Sequence, residues 1–209
     1  ADHHGYIERI RSVISAHSKP VNLVIILGQL VNLFKNGEPI KMSKRTGNLI
    51  ELNEVIDEIG SDATRFFMIE KKPELPLDFD LDLAKQETNE NPVYYIQYAH
   101  ARISTIISKC STLEHNKNVP FELNEEARKL ILLSCRYYEM LYDAANEYEP
   151  YKLAHYMIEL AKSFHSYYQT NKVIENDLVN PIRFETIQVV QQIIKDCAKI
   201  LGISTPEKM

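Results

Sequence analysis

Apolar residues in the chain follow two different rhythms, changing near residue 90. In the first part, Ile7, Ile10, Val13 and Ile14 recur at helical spacing, so the pattern predicts a short helix over 6–17. The β-branched run at 23–27 ("LVIIL") reads as a strand covered on both faces. Asn36-Gly37 follows, a pair whose residues both tolerate positive φ, and it predicts a hairpin turn. Two short helices come next, one around 53–59 stopped by Gly60 and one from Asp62 with Ser61 as its N-cap. The stretch "KKPELPLDFDLDLAK" has two prolines and no steady period, and reads as a connector in which Phe79, Leu81 and Leu83 pack one side while the aspartates between them face out.

From residue 91 the helical period is sustained. Asn91-Pro92 is a cap and first-turn proline for a helix to about Leu113. Asn124 with Glu125 and Glu126 opens a second to about Tyr148. Pro150 stands early in a third ending near Val173, and Pro181 early in a fourth reaching Leu201-Gly202. The expected fold is mixed: an α/β segment over 1–90, then an antiparallel bundle of four long helices over 91–209.

Composition narrows the function. The 209 residues carry a net charge of −5, which argues against a surface coated by nucleic acid and confines any polyanion site to a local cluster. The apolar run from Val21 to Phe34 is interrupted by Asn22, Gly28, Gln29 and Asn32, well short of the roughly 20 residues of a membrane helix. No apolar leader opens the sequence, and the cytoplasm is the expected compartment. Cys110, Cys135 and Cys197 are widely spaced and odd in number, giving neither a zinc knuckle nor a disulfide framework.

The cluster that stands out is "KMSKRTGN" at 41–48, with Lys41, Lys44 and Arg45 directly after the hairpin. Charge-assisted donors, the Ser43 hydroxyl and the open backbone at Gly47 suit a triphosphate or departing pyrophosphate. Taken alone it also fits a solvated turn, and it lacks the GxxxxGKS/T order of a P-loop. The "DHHGY" segment at 2–6 suits a nucleotide-contacting loop and equally a pair of helix-flanking histidines without function. Its adjacent histidines have no third ligand spaced to complete a zinc site. "DFDLDLAKQE" has the alternating acids of a calcium loop, but Leu83 holds the glycine position and Asn89 the bidentate glutamate position. Of the twelve tyrosines all but Tyr6 lie between Tyr94 and Tyr168. Most would plug a bundle core, while those near helix ends, such as Tyr98 and Tyr167, could stack on RNA bases with Arg102 or Lys172 holding phosphates.

In order, "ADHHGYI", "GEPIKMSKRTGN", "DATRFFMIEKKPELPLDFDLDLAKQETNENPVYYIQYAHARI" and the final "PEKM" resemble the arginyl-tRNA synthetases, class I enzymes whose KMSKS signature "KMSKRTGN" is similar to. The likeness covers nearly the whole chain and is loosest over 111–122. It implies that 1–90 is the end of a Rossmann-type catalytic domain and 91–209 an all-α anticodon-binding bundle of the DALR type. It also implies ATP with Mg²⁺, arginine and tRNA(Arg) as substrates of the whole enzyme, with no protein-bound metal, no membrane and a monomeric state. On that resemblance Lys41 and Lys44 bind phosphates, Lys44 stabilising pyrophosphate in the transition state. Met42, Ser43, Arg45, His3, His4 and Gly5 approach ATP, and Tyr98, His100, Arg102, Tyr167 and Met209 contact tRNA. One departure matters: no H-x-G-H or H-x-G-N stretch occurs. The expectation is therefore a C-terminal fragment without activity of its own. A standalone RNA-binding module or a protein-interaction bundle are the competing readings.

Overall fold

A computed structural model describes residues 3–17, 21–40, 50–116, 118–119 and 123–209. The cationic stretch, with Lys41, Met42, Ser43, Lys44 and Arg45, lies outside the described residues. A 3-10 turn, His4–Tyr6, leads into α1, Ile7–Ser15, which has no buried residue. The expected strand at 23–27 does not form. That run has no ladder partner among the described residues, and Val24 and Ile26 are about half exposed, at 45% and 51%. Strand β1 is instead Val31–Lys35, whose antiparallel neighbour β2, Glu38–Pro39, follows the Asn36-Gly37 turn with φ of 54° and 73°.

Helices α2, Leu52–Ile59, and α3, Ser61–Ile69, meet at Gly60, whose φ of 83° turns the corner within one residue. Ser61 is thus the first helical residue and not the cap. The supposed connector is ordered: β3, Leu77–Asp80, pairs parallel with β1, Leu33 opposite Phe79, and α4, Leu81–Lys85, follows directly. Asp80 caps α4 by accepting from the backbone N–H groups of Asp82 and Leu83 at 2.9 and 3.1 Å. Alternation buries Leu77, Phe79 and Leu81, and the Phe79 ring stacks on Phe67 at 5.4 Å. Glu58 of α2 accepts from Lys35 of β1 (2.5 Å) and Lys85 of α4 (2.6 Å), tying the hairpin that precedes the cationic stretch to both helices.

The bundle opens with α5, Pro92–Cys110. Asn91 caps it through Oδ1 and donates from Nδ2 to the carbonyls of Ala84 and Gln86, so one side chain fixes the angle between α4 and α5. A short strand β4, Glu114–His115, precedes α6, Glu125–Cys135, which Asn124 caps. The single helix expected here is broken at Arg136, and α7, Tyr137–Asn146, continues on a new axis. The break lets α6 lie against later helices of the bundle while α7 packs separately on α8, Tyr151–Thr170. Strands β5, Ile174–Glu175, and β6, Leu178–Val179, form a hairpin turning on Asn176 and Asp177, and β4 joins β6 in parallel. The sequence had given no sign of this second sheet. Helix α9, Pro181–Leu201, ends on the left-handed Gly202.

Ile103, Leu130, Met157, Leu160, Phe164, Ile187 and Ile194 form the fully buried centre of the bundle, and the core runs without interruption into Phe66 and Phe79 beneath the first sheet. The C-terminal residues are fastened across this junction. The Ser204 N–H donates to Asp62 Oδ1 (3.1 Å), and Gln97 Nε2 donates to Asp62 Oδ2 (2.8 Å) and the Ser204 carbonyl (3.1 Å).

Candidate nucleic-acid interface

On α5, Tyr94, Tyr98 and Arg102 recur every fourth residue and share one face. On α8, His165 and Tyr168, and Lys172 just past its end, lie alongside them, because the two helices pack together. Tyr94 and Tyr98 stand 6.3 Å apart and within 3° of parallel, and Tyr98 stacks on His165 at 5.5 Å. The Arg102 guanidinium sits 4.8 Å over the Tyr168 ring, and Lys172 Nζ lies 4.5 Å from the same ring centre. Among the described residues neither cation is ion-paired with a carboxylate. Aromatic faces beside unneutralised cations suit splayed bases and the phosphates between them. Tyr98, 38% exposed, offers the accessible ring.

His165 is held neutral. Burial, helped by the Arg102 charge, lowers its pKa from 6.5 to about 4. Burial also lowers that of His100. As pH falls, the unfolded chain takes up these protons near 6.5 while the folded imidazoles resist. Their contribution to stability is therefore complete above 6.5 and is lost towards the folded value. The melting temperature is expected to drop on acidification from about pH 6.5 to 4.5, and less steeply in His165→Phe, as thermal denaturation followed by circular dichroism would show. Glu149, lowered to about 2 by its hydrogen bonds to Lys152 and Lys72, enters only below its ordinary 4.5. Glu70, raised by burial, acts in the opposite direction and is common to both chains.

The residues expected to contact RNA separate into two groups. Tyr98 and Arg102 lie in the strip, and Met209 is 54% exposed at the rim of a cavity of about 580 Å³. Gly60, Asp62, Asn91, Tyr94 and Gln97 line the same cavity, between the α2–α3 corner and the start of α5. His100 and Tyr167 do not reach the surface, at 3% and 2% exposure. His100 Nδ1 donates to the Pro206 carbonyl at 3.0 Å, fixing the tail, and Tyr167 is packed inside the bundle near Thr186. Their helical phase explains it: 100 lies two residues from 98 and 102 and points inward, as 164 and 167 do on α8. The same phase would have singled out Tyr94, His165 and Tyr168, which proximity to helix ends did not.

His3, His4 and Gly5 are exposed at the 3-10 turn, the His3 ring 5.9 Å from Tyr6. Among the described residues no three His, Cys, Asp or Glu side chains are grouped to hold a metal ion, and no helix is long and apolar enough to cross a membrane.

Residues 96–209 match the family described as the DALR anticodon binding domain. Across its full length the chain is 43% identical to an arginine–tRNA ligase of Coxiella burnetii, of which it covers 37%. It therefore spans well under half the length of the curated relatives it matches. The crystal structure of a Campylobacter jejuni protein assigned as an arginyl-tRNA synthetase superposes with a TM-score of 0.86 at 35% identity, over 100% of this chain and 46% of that one. For the Thermus thermophilus arginyl-tRNA synthetase the TM-score is 0.59 at 26% identity, over 79% of this chain and 29% of that one.

Proposed function

The chain belongs to the DALR anticodon-binding domain family, and on that premise we propose that it is the tRNA-reading part of an arginine–tRNA ligase. The observation that carries the reading is the strip of Tyr94, Tyr98 and His165 beside Arg102 and Lys172, of which all but Tyr94 lie within the residues that the family match covers. Residues 91–209 hold the anticodon loop of tRNA(Arg). Residues 1–90 close a Rossmann-type catalytic domain in the longer protein, which acts in the cytoplasm.

In that protein the arginine carboxylate attacks the α-phosphorus of ATP, which enters with Mg²⁺, and pyrophosphate leaves. The terminal ribose of tRNA(Arg) then attacks the activated carbonyl and AMP departs. This chemistry needs placement and charge stabilisation more than a side-chain nucleophile. Lys41 and Lys44 hold the phosphates, Lys44 meeting the charge that grows on pyrophosphate. Met42, Ser43 and Arg45 complete that side, with His3, His4 and Gly5 near the nucleotide.

These 209 residues include no H-x-G-H or H-x-G-N stretch. The chain alone is therefore expected to catalyse no arginine-dependent exchange of labelled pyrophosphate into ATP, with or without tRNA(Arg). Robust exchange would show that the activation machinery is already complete within it.

A further inference from the structure

A cation that serves a phosphate has to be oriented without being neutralised. Arg102 meets that condition unusually well. Its guanidinium lies over Tyr168 and, among the described residues, has one side-chain hydrogen-bond partner, His165 Nδ1, at 3.3 Å. Guanidinium only donates, so Nδ1 must present its lone pair and the ring proton sits on Nε2. Nε2 is buried without a hydrogen-bond partner among the described residues. The Tyr95 backbone carbonyl interacts with the ring and favours its protonated form, and the ring is clamped by Tyr95 at 4.8 Å and Phe164 at 5.3 Å. Burial and the Arg102 charge keep it in the neutral form that can accept. A carboxylate in its place would orient Arg102 as firmly, but would cancel its charge and compete with any incoming anion.

The structure assigns His165 a positioning role: it holds the Arg102 guanidinium through an uncharged acceptor, leaving its full charge for an RNA phosphate beside the exposed face of Tyr98. The assignment rests on the tRNA-binding reading above. Lys172, against the same Tyr168 ring, adds a second charge at this point and explains why the backbone, more than a base, is what Arg102 meets.

The test uses the whole chain and a tRNA(Arg) transcript, with Kd measured over a series of salt concentrations. His165→Phe keeps a ring but removes the acceptor. It is expected to weaken binding about threefold to tenfold. It should also flatten the slope of log Kd against log salt by about 0.7, the share of one single-stranded phosphate contact. Arg102→Ala should flatten the slope by the same amount, and the double variant should bind no more weakly than Arg102→Ala. His165→Asn, whose amide oxygen can stand in for Nδ1, should restore affinity and slope. His165→Asp should lose both while retaining an acceptor. Melting curves confirm that each variant is folded, and the Asn and Asp pair decides the matter if the Phe variant is not.

If Arg102→Ala flattens the slope and His165→Phe does not, or if their losses add, the positioning role is wrong and the tRNA reading stands. An Asp variant that binds like the Asn variant also overturns it. If Arg102→Ala itself binds as the unaltered chain does, the phosphate contact and the role of His165 fall together.

Discussion

Replacing Tyr98 and Arg102 together by alanine is expected to lower the affinity for tRNA(Arg) by about 100-fold or more. A base stacked on an aromatic ring contributes about 1–3 kcal/mol, and a hydrogen bond to a charged group about 1.5–3 kcal/mol. The two side chains occupy successive turns of one face of α5, so the variant removes both the stacking surface and the cation next to it. Stability should change little by comparison. Tyr98 is 38% exposed, and among the described residues Arg102 has no carboxylate partner whose charge would be left unpaired. Fluorescence anisotropy with labelled tRNA at fixed salt, beside a melting curve, separates the two effects. A variant that stays folded and binds within threefold of the unaltered chain would remove the strip from the interface. His100→Ala is an informative control, because His100 holds the Pro206 carbonyl and should act through the position of the tail.

What could be read from the sequence was set by local chemistry. Asn91-Pro92 and Asn124 satisfy helix N–H groups within three residues of themselves, and Asn36-Gly37 adopts its turn without help from elsewhere. These features were therefore visible. The first strand falls later than composition suggests, because its identity depends on a distant partner. Residues 23–27 have the stronger β composition, but only Val31–Lys35 finds a ladder, with Leu77–Asp80, and that segment in turn looked like a connector until paired. The pairing of β4 with β6 likewise joins distant segments, whereas β5 and β6 close locally over Asn176-Asp177.

The site divides in the same way. Tyr98 and Arg102 belong to a phrase that could be recognised along one helix. His165, Tyr168 and Lys172 join them only because α8 lies against α5. Nearness to a helix end does not separate Tyr167 from Tyr168, but helical phase sends the first into the core and the second to the strip. The assignment of Lys41 and Lys44 to ATP phosphates still rests on sequence, since 41–49 lies outside the described residues.

Stacking on Tyr98 would accept any base, so recognition of one anticodon has to draw on hydrogen-bonding edges as well. The cavity beside the strip can supply them, with Asp62 and Gln97 beside Tyr94 and Met209. A base that leaves one of these polar groups unpaired costs about 1–3 kcal/mol of binding. The most direct measurement is the Kd of this chain for tRNA(Arg), against the same transcript with its central anticodon base exchanged, at matched salt. The account predicts binding weaker by about 10–100-fold after that single exchange. Equal affinity for the two transcripts, or for an unrelated RNA of the same length, would contradict it and leave a helical module that binds RNA without reading it.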